Sequence, residues 1–527
     1  MSRPVFEVSD YDAAGRRGEL TVPRADTTVD TPALLPVINP HLQLVSAGRM
    51  AADFGAQIVI TNAYVFHQSA THRDRVLEDG LHEVLEFPGA IMTDSGSFQL
   101  AEYGEIEVDT PEILAFQDAI GSDIATPVDV PTPPDADRTR AERDLEETMA
   151  AIETAAAFDA GDMLLSAPIQ GATFSTLRER AAREVYAQEL DVFPVGAVVP
   201  LLNEYRFAET VDVIAAAKRG LGEDAPVHLF GAGHPMMFAL AVAMGCDLFD
   251  SAAYALYARD GRYLTVRGTV DVGELSELPC ACPVCTQRSA EELQATPARE
   301  QETLLAEHNL HVCFAEMRRI RAAIESGELL ELVEARARAH PTLLDGYRAL
   351  LEHAAQLDCT DPASSRRPFF YVSAESAGRP AVERHHQRLE RLSPPPSLLL
   401  ADTRLFDSLP DEAPWEWDEE HDLPDGVVST ENFEGCWLVQ GPFGPVPPAL
   451  SHTYPATAEL PARLDAAAYT RGVEGINRLA EGTSTSITFL HPGWPGDALD
   501  ELAEGVVART VGSNESASSP RGPEPEQ

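Results

Sequence analysis

Eight short apolar runs alternate with longer amphipathic stretches between Thr31 and Ala253, and this alternation limits the possible folds more than any other feature. Helical patterns such as Asp74–Leu85 fill the intervals. The candidate strands are Ala33–Ile38, Gln57–Thr61, Ala90–Thr93, Asp123–Thr126, Met163–Ala167, Val195–Val199, Val227–Phe230 and Cys246–Phe249. Eight strands with intervening helices over roughly 250 residues predict an α/β protein built on a (β/α)₈ TIM barrel.

Polar residues or glycines follow nearly every candidate strand. They are Asn39, Asn62, Asp94, Asp129, Gln170, Gly196, Gly231 and Asp250. The C-terminal ends of barrel strands form the face that carries chemistry, whereas an open doubly wound sheet uses only the crevice at its switch point. We therefore favour the closed barrel and predict that Asp94 and Asp250 are a catalytic pair, one nucleophile and one general acid/base. The alternative is that each aspartate caps the following helix.

The large excess of acidic over basic side chains indicates a solvent of high salt concentration. The 527 residues include 85 acidic and 39 basic side chains, a net charge of −46, and Lys218 is the only lysine. Such a surface is typical of adaptation to multimolar salt, where the Debye length is about 3 Å or less. An acidic solubilising surface in ordinary cytosol is the alternative. Salt adaptation would also mask the basic charge expected of a nucleic-acid binder everywhere except at the contact site.

No membrane partner is expected. The sequence has no uncharged apolar run of about 18 residues, and its first ten residues do not form a signal peptide. These features predict a soluble, cytoplasmic protein.

Three cysteines within six positions need their own explanation. Cys280, Cys282 and Cys285 are followed by His308 and His311. Three thiolates and one imidazole make a closed tetrahedral zinc site of the structural kind. We take His308 as the fourth ligand, although spacing alone separates it poorly from His311.

Asp129 is an unusual helix cap because prolines flank it at positions 127 and 131. A carboxylate in that position can accept two N–H bonds from the edge of a planar base. Gln170 and the backbone amides of Gly196 and Ala197 could complete such a pocket.

Together these motifs resemble the tRNA-guanine transglycosylases. The matching stretches are Asp94–Gln99, Pro127–Asp129, Gln170-Gly171, Val195-Gly196, Phe249–Ser251 and the Cys280/Cys282/Cys285 set with His308-Asn309. The resemblance covers roughly residues 5 to 350. Phe98 and the C-terminal extension resemble the archaeal branch, whose members insert 7-cyano-7-deazaguanine (preQ0) at position 15 of the tRNA D-arm on the way to archaeosine.

The resemblance implies a pentosyltransferase with specific roles for these residues. Asp250 would attack C1′ of the target nucleotide and displace guanine, and Asp94 would be the general acid/base. Asp129, Gln170, Gly196 and Ala197 would hold the edge of guanine or preQ0, and Phe98 would stack on its face. The partners are then tRNA and the free bases, and a homodimer is possible.

The domain prediction follows the same order along the chain. Residues 1–270 form the barrel, which a zinc-binding and helical segment at 271–360 completes. A small α+β domain occupies residues 361–509, and 510–527 form a disordered tail. The region 460–507 does not resemble the RNA-binding PUA domain that archaeal members commonly carry. Docking of tRNA would then depend more on the barrel, on a partner protein, or on arginines such as Arg259, Arg262, Arg267, Arg318, Arg319 and Arg321.

Three alternatives to this function remain open from the sequence. A retaining glycoside hydrolase would explain the paired carboxylates but neither the cysteine cluster nor Asp129. A non-catalytic tRNA-binding paralogue would need neither aspartate. A transglycosylase for queuine or preQ1 would use the same chemistry on another base.

Overall fold

The computed structural model describes residues 5–97, 108–406, 433–481 and 483–511. The chain divides into two compact units, residues 1–362 and 363–527. Phe98 and the part of the predicted tail from residue 512 onward lie outside the described residues. Within the described residues, no helix is long and apolar enough to cross a bilayer.

The first unit begins with a small antiparallel sheet that the sequence did not predict. Its strands are β1 (Phe6–Asp12), β2 (Gly15–Val22) and β3 (Thr27–Thr31), paired in that order. Phe6, Leu20, Val22 and Val29 from this sheet belong to the same apolar cluster as the side chains inside the barrel. The sheet therefore packs against the lower end of the barrel interior.

A parallel sheet of eight strands forms the barrel. Its strands are β4 (Ala33–Ile38), β5 (Ile58–Asn62), β6 (Ala90–Asp94), β7 (Ile124–Ala125), β8 (Leu164–Leu165), β9 (Phe193–Val195), β10 (Val227–Leu229) and β11 (Leu248–Ser251). Strands β4 to β8 pair in chain order, as do β9 to β11, and β11 pairs with β4. Parallel bridges Ser166–Val192 and Ile169–Val195 join the two remaining edges. The predicted (β/α)₈ barrel is confirmed.

Alternation along each strand determines which side chains point into the barrel. Ala90 and Met92 of β6 belong to the interior cluster, whereas Ile91 packs with the outer helices. Because successive side chains alternate, Asp94 points inward. In β11, Leu248 is interior and Phe249 is outside, so Asp250 also points inward.

Helices follow the strands, and capping residues mark where they begin and end. Those of the barrel are Ala47–Phe54, Ala63–Gln68, Arg73–Asp79, Leu81–Leu85, Thr110–Ala119, Arg138–Ala156, Ser175–Tyr186, Val199–Asn203, Phe207–Gly220, Pro235–Ala243 and Ala253–Arg259. Asp137, for example, caps the longest of them by accepting from the backbone N–H of Arg140 at 2.9 Å.

Three element boundaries differ from the sequence prediction. The helix predicted over 74–85 is interrupted at Gly80, whose φ is 81°. The strand predicted over 195–199 ends at Val195, because Pro200 favours the first turn of a helix that begins at Val199. From the sequence, Asp260-Gly261 predicts the turn of a hairpin over residues 259–272. In the structure this pair ends a helix instead, since glycine with positive φ suits both a turn and a helix end.

The hairpin itself lies slightly further along the chain, and helices complete the first unit. Strands β12 (Arg262–Thr265) and β13 (Gly268–Asp271) pair in antiparallel fashion. The helices after them are Pro283–Thr286, Ala290–Ala295, Ala298–Ser326, Leu329–Ala337, Pro341–Glu352 and Ala354–Leu357. The longest of these six packs against the helix 253–259 and against β12.

The second unit contains one sheet in the order β16-β15-β14-β17-β18. The strands are β14 (Ser397–Asp402), β15 (Gly435–Gln440), β16 (Gly444–Val446), β17 (Ser486–His491) and β18 (Val506–Thr510). All pairs are parallel except β15 with β16. Its helices are Pro380–Leu389, Ala466–Glu481 and Gly496–Leu499. Thr510, the first residue of the predicted tail, ends β18, and Val511 is buried.

A fully buried ion pair joins Arg16 of the N-terminal sheet to Asp247, the residue before β11. Nε of Arg16 donates to Oδ1 of Asp247 at 3.1 Å, and a second guanidinium nitrogen contacts Oδ2. Neither side chain is exposed to solvent. Asp247 also accepts from the backbone N–H of Val227 at 2.8 Å, and Arg16 is the side chain that donates hydrogen bonds to it.

Replacing Arg16 by Met is expected to lower the free energy of unfolding by about 3–5 kcal/mol, because it leaves a buried carboxylate without its counter-charge. Arg17→Met is the matched control, since Arg17 pairs with Glu325 on the surface and should contribute less than about 1 kcal/mol. Denaturant unfolding in multimolar KCl measures both. Equal losses in the two variants would contradict the role given to the buried pair.

Candidate active site and metal centre

The two predicted catalytic aspartates lie at the C-terminal ends of their strands. Asp94 is the last residue of β6, and Asp250 is the third of four residues in β11. The backbone N–H of Gly96 donates to Oδ1 of Asp94 at 2.8 Å. The backbone N–H of Gly231 donates to Oδ1 of Asp250 at 2.7 Å. Backbone donors from neighbouring loops thus orient both carboxylates toward the upper end of the barrel.

Asp94 has a strongly altered protonation equilibrium. Burial is the main cause that raises the pKa of Asp94 to about 7; the negative charges of Asp250 and Asp129 contribute to this rise, and the hydrogen bond from Gly96 opposes it. A hydrogen bond from Asn62 acts in the opposite direction. Asp94 and Asp250 both point inward at the C-terminal ends of barrel strands, and the charges of Asp250 and Asp129 act on Asp94. With its raised pKa, Asp94 can gain and lose a proton near neutral pH.

Asp129 and Gln170 form a buried polar pair beside the two aspartates. Nε2 of Gln170 donates to Oδ2 of Asp129 at 2.6 Å, and the backbone N–H of Asp129 donates to Oγ of Ser97 at 3.0 Å. Burial raises the pKa of Asp129. Oε1 of Gln170 is buried and has no hydrogen-bond partner within the described residues. An unsatisfied buried acceptor is costly, so this oxygen is suited to an N–H donor of a ligand.

The loop after β9 has a backbone that tolerates little change. A Cβ atom at Gly196 would lie 2.2 Å from Nε2 of Gln170, so only glycine allows this approach. Ala197 has a φ of 58°, a left-handed conformation that costs a non-glycine residue about 1 kcal/mol or more. The structure thus brings Gly196 next to the Asp129–Gln170 pair. The predicted stacking residue, Phe98, lies outside the described residues.

Sequence reasoning missed two residues that support this site. Arg178 is fully buried and donates to the carbonyl oxygens of Ile169 at 2.6 Å and Ala172 at 2.8 Å, on either side of Gln170. Burial lowers the pKa of Arg178 to about 9, and the charge of Asp129 opposes that effect. In the sequence it looks like any other arginine of an amphipathic helix.

His228 is the second missed residue. It occupies an inward position of β10 between the apolar residues Val227 and Leu229, and none of its surface is exposed. Its Nε2 lies 3.0 Å from Oδ1 of Asp250. A polar residue in the middle of a buried strand was the signal in the sequence that could have identified it.

The four predicted metal ligands lie together beside the long helix 298–326, which carries His308. The Sγ atoms of Cys280, Cys282 and Cys285 and a nitrogen of His308 all lie within 4.8 Å of one another. Nδ1 of His308 is 3.4 Å from both Cys282 Sγ and Cys285 Sγ. This set can hold a metal ion.

The surroundings of the cluster orient the imidazole ligand. Nε2 of His308 lies 2.9 Å from the carbonyl oxygen of Leu264, which leaves Nδ1 for the metal, as is usual for histidine ligands. The ring of Tyr263 stacks on that of His308 with centroids 3.7 Å apart. His311, the competing ligand, packs against Phe54 with ring centroids 4.5 Å apart.

Comparison with known proteins identifies the family. A family model described as queuine tRNA-ribosyltransferase matches residues 10–342. The chain belongs to this family of tRNA-guanine transglycosylases. The resemblance inferred from the motifs is therefore confirmed, and the family does not support the glycoside hydrolase alternative.

Individual relatives extend the match beyond the barrel. The chain is 57% identical over 507 residues to the tRNA-guanine(15) transglycosylase of Haloarcula marismortui, which covers 96% of this chain and 99% of that relative. It is 56% identical over 510 residues to the protein of the same name from Haloferax volcanii, and the match covers 97% of this chain and 94% of that relative. The tRNA-guanine(15) transglycosylase of Methanosarcina mazei is 49% identical over 457 residues, and the match covers 87% of this chain and 88% of that relative.

Proposed function

We propose that this transglycosylase replaces guanine at position 15 of tRNA with preQ0 through a covalent bond between Asp250 and the ribose. The similarity to relatives named tRNA-guanine(15) transglycosylase supports the position in tRNA. The observation that carries the chemistry is the position of Asp94 and Asp250, which both point inward at the C-terminal ends of barrel strands, and the raised pKa of Asp94, about 7, agrees with it. One carboxylate can therefore attack while a neighbouring carboxyl group supplies a proton.

In the first displacement, an oxygen of Asp250 bonds to C1′ as the bond from C1′ to N9 of guanine breaks. The bonding electron pair leaves with guanine, which takes up the proton of Asp94. In the second displacement, N9 of preQ0 attacks C1′, its proton passes to Asp94, and the electron pair of the ester bond returns to Asp250. Two displacements at one carbon retain its configuration, as in retaining glycosidases.

The two steps require Asp94 in opposite protonation states, and the charge of Asp250 provides the change. While Asp250 is ionised, its charge adds to the effect of burial and raises the pKa of Asp94, so a proton is available for leaving guanine. Ester formation removes that charge. The pKa of Asp94 then falls, and its carboxylate can accept the proton of the incoming base.

We assign recognition of the base to Asp129, Gln170 and the amides of Gly196 and Ala197. The carboxylate of Asp129 can accept from the N–H groups on one edge of guanine or preQ0, and the unpartnered Oε1 of Gln170 can accept another. Phe98 keeps the stacking role that the resemblance implies. The base must leave its stack in the D-arm to reach this pocket.

Exchange of radiolabelled guanine into an unmodified tRNA transcript in multimolar KCl tests the proposal. Label should enter tRNA with guanine at position 15, and unlabelled preQ0 should displace it. A transcript with adenine at position 15 is the matched control and should take up none. Displacement by queuine or preQ1 but not by preQ0 would support the alternative substrate. Uptake of label by the control transcript would refute the assignment of the exchange to position 15.

We further propose that the Cys280, Cys282, Cys285 and His308 cluster holds a structural zinc ion. Three thiolates and one imidazole complete a tetrahedral shell, so the ion would have no open position for catalysis. It would tie the loop 280–285 to the helix 298–326.

Cys282→Ser is expected to reduce the bound zinc from about one ion per chain to nearly none, because a hydroxyl is a much weaker zinc ligand than a thiolate. Cys359→Ser is the control, since Cys359 is exposed and lies outside the cluster. Elemental analysis of the purified variants measures the effect. A normal zinc content in Cys282→Ser would refute the assigned ligands.

For docking of tRNA we favour Arg267 and Arg318, which are exposed and form no ion pair within the described part of the chain. Arg319 instead pairs with the buried Glu316 at 2.5 Å, and Arg321 donates to the carbonyl oxygen of Pro32 at 2.7 Å. We also place the enzyme in the cytoplasm with its tRNA substrate. The homodimer implied by the resemblance stays a prediction, which light scattering at high salt would test.

A further inference from the structure

His228 is a buried polar residue that the proposed reaction has not yet used. It lies in the middle of β10, with its side chain inside the barrel beside Asp250. Its ring packs edge-on against Phe230 with centroids 4.6 Å apart. Nδ1 has no hydrogen-bond partner within the described residues, and Nε2 is close to Oδ1 of Asp250 without meeting the angle for a hydrogen bond.

A buried histidine with an unsatisfied nitrogen destabilises the barrel, and this cost points to a functional role for His228. An apolar side chain would fit between Val227 and Leu229 without an unsatisfied nitrogen, and each buried unsatisfied group costs about 1–3 kcal/mol. Hydrogen bonds at catalytic groups are often poorly aligned in the free enzyme and shorten in the complex with substrate. The position of Nε2, 3.0 Å from Oδ1 of Asp250, matches this description.

The two oxygens of Asp250 have different surroundings. Oδ1 accepts from the backbone N–H of Gly231 at 2.7 Å and faces Nε2 of His228. No described residue donates a hydrogen bond to Oδ2. The backbone N–H of Gly231 and the ring of His228 both contact Oδ1, which leaves Oδ2 as the oxygen that can reach a ribose.

We propose, building on the function proposed above, that His228 is a positioning residue that holds Oδ1 of Asp250 together with Gly231, so that Oδ2 is the oxygen that bonds to C1′. In this arrangement the proton of the imidazole is on Nε2. His228 and Gly231 both donate to Oδ1 when Asp250 is a carboxylate, and to the ester carbonyl in the intermediate.

The hydrogen bond from His228 acts mainly on the second displacement. When N9 of the incoming base attacks C1′, the C1′–Oδ2 bond breaks and its electron pair spreads over both oxygens of Asp250. A donor at Oδ1 stabilises this leaving carboxylate more than it stabilises the neutral ester. Loss of the donor therefore makes the covalent intermediate more persistent, whereas a role in packing alone would reduce formation and breakdown alike.

His228→Leu and His228→Gln test the proposal in the full-length protein. Leucine has a similar volume and no donor, whereas the amide nitrogen of glutamine can take the place of Nε2. His386→Leu is the matched control, because His386 is also fully buried but lies in the second unit, where Nε2 contacts the carbonyl oxygen of Pro442 at 3.1 Å. Single-turnover formation of the tRNA adduct, followed by its release with excess guanine, separates the two steps.

In His228→Leu, release of the adduct is expected to slow by about tenfold or more, because hydrogen bonds to charged groups are among the stronger ones. Formation should change by less than about threefold, with an unchanged KM for tRNA, so the adduct accumulates at steady state. Glutamine should restore most of the release rate, and His386→Leu should behave like wild type.

Equal slowing of both steps in His228→Leu would overturn the proposal in favour of a packing role, and so would a failure of glutamine to restore release. Wild-type release in the leucine variant would also overturn it. Absence of exchange and adduct in wild type would instead refute the proposed function, so the two failures are distinguishable.

Discussion

Asp250→Asn is expected to lower guanine exchange by about 10⁴-fold or more and to abolish the covalent adduct with tRNA. An amide is far less nucleophilic than a carboxylate, and removing a covalent nucleophile produces losses of this size in other enzymes. The substitution keeps the shape of the side chain and an oxygen that can accept from the N–H of Gly231. Binding of tRNA should therefore survive, and a filter-binding assay beside the exchange assay measures both.

Asp260→Asn provides the control for the change in charge, because Asp260 is an exposed acidic residue of the same unit outside the candidate active site. Its exchange rate should equal that of wild type. A stable adduct on Asp250→Asn, detected on a denaturing gel, would transfer the nucleophilic role to another residue. Asp94 would then be the first candidate, since it is the other aspartate at the end of a barrel strand.

Asp94→Asn is expected to lower exchange by about 10²–10⁴-fold, the usual contribution of a general acid/base. Asn cannot protonate the leaving guanine, but Asp250 can still attack slowly, so adduct should appear on long incubation. The pH profile gives a second readout. Wild type needs protonated Asp94 for the first displacement and ionised Asp94 for the second, where its pKa is lower, so exchange should peak below the pKa of about 7 and decline above it.

Although Asp94→Asn should lower activity, it should raise the free energy of unfolding. The pKa of Asp94 is raised from 3.8 to about 7 in the folded protein, so between these values the unfolded chain ionises more readily than the folded one. Folding is therefore penalised increasingly as pH rises through this window, and fully above it. Asp94→Asn should be more stable than wild type at pH 8, by about 1–3 kcal/mol given its partial exposure, with a smaller difference at pH 5.

Thermal unfolding at the two pH values measures this difference. A variant that is less active but more stable is the expected behaviour of a strained catalytic group. An Asp94→Asn protein with the same stability as wild type at both pH values would contradict the raised pKa. Retention of the bell-shaped pH profile in the variant would contradict the acid/base role.

The amino-acid sequence alone determined the barrel and the metal-ligand cluster. Eight apolar runs at regular intervals require a parallel sheet covered by helices, and three cysteines within six residues lie close together in any fold. Both conclusions depend on local spacing, which the chain itself fixes. Even so, the strand predicted over 195–199 ends at Val195, since an apolar run does not show that a helix begins at Val199.

Only the tertiary structure decided how the site is assembled. The raised pKa of Asp94, the contact of His228 with Asp250, and the approach of Gly196 to Gln170 all join residues on different strands and loops. Their distances depend on how the sheet closes and on the register between strands. The period of a sequence shows which face of a strand is buried, but it does not show which side chain of another strand lies opposite.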